Sequence, residues 1–259
     1  MKKAVIYTVA FLLIQLIASV IVQGIMRLVQ GEAVPMTATM FIVIDLLFSL
    51  TAIGVFLYFK WAEVSRSYVR SRPWAVLCWC VLASLGAVIP SVWLQEQMPE
   101  LPNILENEFD MIMKDRWGYV AIGLLAPLAE ELVFRGAVLR ALLQWTRSYG
   151  WRQWQWVAIG ISALIFAAVH GNPAQMPHAF VIGLLLGWLY WRTDSIVPGV
   201  VYHWVNNTVA YVLYNFYPDP ELTLVDLFGS QRQVVLAVGF SLLILLPSLY
   251  QLNQRLKKA

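Results

Sequence analysis

Charged side chains are scarce in this sequence. Lys, Arg, Asp and Glu make up 13% of its 259 residues, 60% are hydrophobic and the mean hydropathy is +0.67. An average soluble domain is about 25% charged, so too few ionic groups exist here to coat a soluble globule of this size. A cytosolic enzyme and a disordered chain are thereby excluded. Cysteine is scarcer still. Cys78 and Cys80, the only two, lie two apart in an apolar run, and such neighbours point to nearly opposite sides of a helix. They form neither a disulfide with each other nor a two-thiolate metal clip, which excludes a disulfide-stapled secreted domain. The net charge of +3 is too small to speak of nucleic acid. Internal repeats, low-complexity segments and linkers are absent as well. What remains is an all-α polytopic membrane protein, expected as a single transmembrane domain over 1–259. At about 20 residues per span, the length allows about eight helices and no sizeable soluble domain.

Long apolar stretches are what the sequence does contain. They run over about 4–29, 37–59, 74–95, 117–145, 154–170, 178–192, 196–217 and 233–252. The first follows Lys2 and Lys3 as a signal peptide would, but it is too long for a typical signal core and no small-x-small cleavage site follows it. It is expected as a retained helix. The shortest, 178–192, is expected to be tilted or partly re-entrant.

Charge sorts these spans into an orientation. With both termini cytoplasmic, Lys2, Lys3, Lys60, Arg66, Arg70, Arg72, Arg147, Arg152, Arg192, Arg255, Lys257 and Lys258 fall inside. Only Lys114, Arg116 and Arg232 fall outside, together with the acids Glu96, Glu100, Glu106, Glu108, Asp110, Asp115, Asp219, Glu221 and Asp226. Basic loops stay on the cytoplasmic side, and the alternation holds over all eight spans. Trp61, Trp74, Trp117, Trp151, Trp154 and Trp156 cluster near the expected interfaces, where amphipathic rings act as anchors. The weakest join is the acidic, proline-containing loop around 96–116.

A charge at bilayer depth costs at least about 2.5–3.5 kcal/mol on insertion scales, so the few that remain inside the spans are informative. The fourth span reads Ala-Pro-Leu-Ala-Glu-Glu-Leu-Val-Phe-Arg-Gly and holds Glu130, Glu131 and Arg135. Positions four apart share a helix face, so Glu131 and Arg135 can pair. Glu130 is rotated about 100° away and keeps no obvious intrahelical partner, which suits a general base. The bland alternative is one ion-pair cluster that locks helices together. His170 follows Phe166 by four at the end of the fifth span, before the helix-breaking Gly171-Asn172-Pro173. His203 and Asn207 are four apart in the seventh span and present to one face. His178, beside Pro177, is expected in the loop between the fifth and sixth spans as a solvated or capping residue. Asp45 is a lone acid in the second span with nothing near it that suggests catalysis.

Glu130-Glu131-x-x-x-Arg135, Phe166-x-x-x-His170 and His203-x-x-x-Asn207 resemble, in order and approximate spacing, the three motifs of the CAAX-protease and bacteriocin-processing family, also called Abi proteins. These are intramembrane glutamate endopeptidases related to the Ras-converting CAAX endopeptidase. The resemblance covers about residues 117–215. It implies a helical membrane fold around a polar, water-filled chamber and peptide-bond hydrolysis without a covalent intermediate. Carried onto this chain, it implies that Glu130 with His170 activates the attacking water and that His203 and Asn207 hold the oxyanion. Glu131, Arg135 and Phe166 would support the site or bind substrate.

No metal is expected, because Asn207 is a poor zinc ligand and no His-x-x-x-His helix motif is present. Two glutamates and two histidines are nonetheless a divalent-metal donor set, which leaves zinc open. At 1.5 Å per residue, Glu130 and His203 come out in the cytoplasmic half and His170 nearer the outer side. Convergence then requires a tilted or early-broken fifth span. The expected partners are the lipid bilayer and a peptide or membrane-protein substrate, with no nucleic acid. The short loops look bacterial, so a bacterial inner membrane and an unprenylated substrate are expected. Two other readings are a non-catalytic partner-binding or immunity protein of the same family and a transporter; the latter would call for inverted repeats.

Overall fold

The computed structural model describes residues 1–31, 35–150, 153–219 and 222–256, apart from the side chain of Arg66. Trp151, Arg152, Glu221, Lys257 and Lys258, which the charge and aromatic patterns place in loops or the tail, lie outside the described residues. Every regular element among the described residues is helical. We number them α1 (Lys2–Gln30), α2 (Ala38–Tyr58), α3 (Arg66–Arg70), α4 (Trp74–Glu96), α5 (Glu106–Lys114), α6 (119–147), α7 (Trp154–Val169), α8 (Met176–Thr193), α9 (Val197–Phe216), α10 (Leu224–Phe228) and α11 (Gln231–Arg255). The eight long ones coincide with the eight apolar stretches, with ends within three residues of those read from the sequence.

Four of them, α1, α2, α4 and α11, are long and apolar enough to cross a membrane by length and composition alone. The other four long helices fall short of that measure. The middle of the chain has less apolar helices because α6, α8 and α9 carry polar and ionisable groups, while α7 is only 16 residues long. At 1.5 Å per residue α7 reaches roughly 24 Å, short of a bilayer core of about 30 Å. The outer helices present bare hydrocarbon: Leu16, Ile17 and Val20 on α1 and Phe240, Leu243 and Leu246 on α11 are all exposed. Soluble proteins rarely show apolar faces of that extent. The chain is a multi-pass membrane protein.

α6 is the hub. It packs against α1, α2, α7 and α9, and residues 131–139 are all buried. Its winding is uneven: Tyr119–Leu125 and Glu131–Leu139 form wide π-type turns on either side of a short α-helical stretch, Ala126–Glu130. Wide turns of this kind recur at functional sites. Small residues set the close approaches around the hub. On α8, Gly183 and Gly187 lie four apart, and a Cβ on either would meet Ala163 or Ile159 of α7 at 3.0 and 2.9 Å. This is the small-x-x-x-small pattern by which membrane helices bring their backbones together. Gly86 does the same between α4 and the Leu245 backbone of α11. Aromatic rings fill the seam between α1, α2 and α6, with Phe11 edge-on to both Phe48 and Phe134.

Just after α2, Trp61 packs against Tyr7, Phe56 and Phe59. Two local expectations change. His178 belongs to the first turn of α8 and not to a loop. Pro177 fits there because the first-turn amides of a helix have no intrahelical acceptor, so the turn tolerates proline. The 96–116 join contains α5 and is tied down. Asp110 pairs with Lys114 at 2.8 Å and accepts from the Tyr214 hydroxyl of α9, and these two donors hold its carboxyl below the usual carboxylate range. Asn215 and Tyr211 of α9 donate to the carbonyls of Met113 and Asp115.

Candidate active site

The three motifs meet on α6, α7 and α9. Glu131 and Arg135 form the expected i,i+4 pair, Nη1 to Oε1 at 2.8 Å, and both are almost wholly buried. The same Glu131 oxygen takes Nδ1 of His203 at 3.1 Å. The opposite edge of that imidazole, Nε2, lies 3.9 Å from Oε2 of Glu130. His203 thus stands between the two glutamates, and they differ in access: the Glu130 side chain is 20% exposed while Glu131 is 0%. Adjacent residues on one helix therefore sit in different surroundings, one carboxylate locked in an ion pair and one open at a surface.

Phe166 organises the histidines. Its ring is buried, with the Arg135 guanidinium carbon 4.2 Å from its centroid. The His170 and His203 rings are both edge-on to it, at 4.8 and 6.0 Å between centroids. His170 is the cap residue of α7, where the chain leaves the helix before Gly171 at φ +64. Its Nδ1 lies 2.7 Å from the Phe166 carbonyl. A carbonyl only accepts, so Nδ1 carries a proton, and in the neutral ring Nε2 keeps a lone pair. His170 and Glu130 are not in direct contact; the motifs meet around Phe166.

Asn207 is held from α6. Its Nδ2 donates to the Ile122 carbonyl at 3.0 Å. That carbonyl is free for a local reason. The helical amides in position to reach it belong to residues 126 and 127; the Ala126 amide is given to Ala121 and Pro127 has none. The proline that precedes the glutamates by three thus creates the acceptor that anchors Asn207.

Two features escaped the sequence reading. Gly199, in the first turn of α9, backs onto the buried carboxylate: a Cβ there would lie 2.8 Å from Glu131 Oε2. The spacing Gly199-x-x-x-His203 was the available signal. Asp45 on α2 is close enough to Glu130 for the two charges to interact, so it is less isolated than its lone place in the span suggested. Among the described residues, no group of three His, Cys, Asp or Glu side chains is placed to hold a metal ion.

Because Arg135 and His203 pin Glu131 from the other side, its carboxylate cannot swing away from a methyl group. Gly199→Ala is expected to destabilise the protein by about 1–3 kcal/mol, the usual cost of overpacking. Thermal unfolding in detergent measures this, and an unchanged midpoint would show that the carboxylate is not fixed.

Residues 113–209 match the family model described as Type II CAAX prenyl endopeptidase Rce1-like. The matched stretch contains all three motifs, so the family resemblance read from them is shown over this part of the chain. No curated protein and no solved structure matches the chain.

Proposed function

We propose that this protein is an intramembrane glutamic endopeptidase that hydrolyses a peptide bond of a peptide or membrane-associated protein. One observation carries the reading: of the buried ionic cluster, Glu130 alone opens to a surface, and it does so opposite the free edge of His203. In the proposed reaction, the Glu130 carboxylate, assisted by the unprotonated Nε2 of His170, removes a proton from water. The hydroxide attacks the scissile carbonyl carbon, and the C=O electron pair moves onto oxygen. His203, whose Nδ1–H goes to Glu131, donates to that oxyanion from Nε2 in its doubly protonated form, and Asn207, held by Ile122, is the second donor. Collapse of the tetrahedral species breaks the C–N bond, and the proton taken from water passes to the leaving amine. Arg135 neutralises Glu131 and, across Phe166, fixes the ring that both histidines touch.

Charge placement supports cytoplasmic termini, and the short loops support a bacterial inner membrane, where an unprenylated substrate is expected. The natural substrate is expected as a precursor that accumulates in the membrane proteome of cells carrying Glu130→Ala and is processed in wild-type cells. Identical proteomes in the two strains would remove the support for proteolysis.

A further inference from the structure

A residue outside the three motifs ties α9 to the first wide turn of α6. Tyr119, the first residue of that turn, brings its hydroxyl to two side chains of α9. Trp204 Nε1 and Thr208 Oγ1 each lie 3.1 Å from the Tyr119 oxygen, and Thr208 Oγ1 lies 2.7 Å from the Trp204 carbonyl. Elementary chemistry sets the direction of every bond. A carbonyl only accepts, so Thr208 gives its single hydroxyl proton to Trp204 and can only accept from Tyr119. Tyr119 therefore donates to Thr208, and its oxygen accepts from the indole N–H, which only donates. Three side chains and one carbonyl close a ring in which each donor has an acceptor. Gly123 makes room for it, since a Cβ there would lie 2.5 Å from the Tyr119 ring. Tyr211 of α9 flanks the same ring, at 5.3 Å between centroids.

Trp204 and Thr208 each follow an oxyanion donor by one residue, His203 and Asn207. One residue is about 100° of helical turn, so α9 is gripped along two neighbouring stripes. His203 and Asn207 are bonded to Glu131 and Ile122, and Trp204 and Thr208 to Tyr119. A helix held along one stripe can roll about its axis, whereas one held along two is fixed. We infer that Tyr119 is a positioning residue for hydrolysis: through Trp204 and Thr208 it sets the direction in which His203 and Asn207 aim their donors. Donors fixed before the reaction need no rearrangement as the oxyanion develops. This inference rests on the oxyanion role proposed for those two residues.

The test uses the full chain in detergent and an internally quenched farnesylated CAAX-type peptide as probe. Loss of one oxyanion donor costs about 10²–10³ in kcat, which is the expectation for Asn207→Ala. Tyr119→Phe keeps the ring against Gly123 and Tyr211 and removes only the hydroxyl. The donors stay present but less well aimed, so kcat is expected to fall about tenfold at unchanged KM. Thr208→Val, of the same shape without the hydroxyl, opens the same ring and is expected to match that loss. Residues acting through one network are non-additive, so Tyr119→Phe/Thr208→Val is expected to be no slower than either single variant. Thr208→Ser, which restores a hydroxyl, is expected to recover most of the loss. Wild-type kcat in Tyr119→Phe beside a crippled Asn207→Ala, additive losses, or a change in KM alone would overturn the positioning role and leave the oxyanion role standing. Full activity in Asn207→Ala would overturn both. A second arm requires no substrate: with 15N-labelled asparagine and histidine, Tyr119→Phe is expected to move the Asn207 side-chain amide and His203 ring resonances. If both stay in place, the positioning role falls even where the peptide is not cleaved.

Discussion

Glu130→Gln is expected to lower peptide hydrolysis by about 10²–10⁴-fold, the range for removal of a positioned general base, while leaving the fold intact. The isosteric amide keeps the shape of the side chain but cannot accept the proton of water. Little structure depends on the negative charge, since the nearest partner is His203 Nε2 at 3.9 Å. The decisive comparison is with thermal unfolding of the same preparation: a lost rate with a retained midpoint assigns Glu130 to chemistry. A rate equal to that of the wild type would refute the mechanism, and a lost midpoint would move Glu130 into the structural class occupied by its neighbour.

Arg135→Met is expected to do the reverse and act first on stability. Arg135 and Glu131 are 1% and 0% exposed, and the carboxylate stands at the centre of three contacts: Arg135, His203 and the backbone at Gly199. Removing one partner of a buried pair costs about 3–5 kcal/mol because the other charge is left uncompensated, whereas replacing both with neutral groups is often nearly neutral. Arg135→Met alone should therefore unfold far more readily than Arg135→Met/Glu131→Gln, although the double variant removes more of the native ionic structure. Reversible denaturation in detergent checks this, and a double variant less stable than the single one would contradict it. The guanidinium also covers the Phe166 ring, so some loss from missing packing persists in the double variant.

Much of this architecture is legible in the sequence, and the remainder fails for identifiable reasons. Helix ends such as Trp74, Trp154 and Val197 follow from where apolar runs start and stop, because a bilayer leaves few other solutions. Glu131 and Arg135 were readable as a pair because four-residue spacing survives even in a widened turn. The exposure of Glu130 was not readable, since it depends on how α2 and α9 close around α6. The anchoring of Asn207 combines a local cause, Pro127, with a contact between α6 and α9 that spacing does not encode. His178 was misplaced because a proline at a helix start and one in a loop look alike until the following residues are seen to wind. The meeting of the motifs around Phe166 needed both the aromatic contacts and the short α7, which ends where His170 can turn back onto its own helix.

The two wide-turn segments of α6 also have a geometric consequence for its long-range phase. In an i→i+5 winding each residue advances by less than the 100° of an α-helix. The angular bookkeeping between Tyr119 and Arg147 thus slips twice, once on each side of Glu130. A helical wheel drawn through the whole segment with a single period assigns its far ends to the wrong sides. The segments before and after Ala126–Glu130 behave as separately indexed cylinders joined end to end. A one-residue insertion or deletion inside a wide turn is then absorbed as a change of winding, leaving the lipid-facing and core-facing sides of the flanking turns in register.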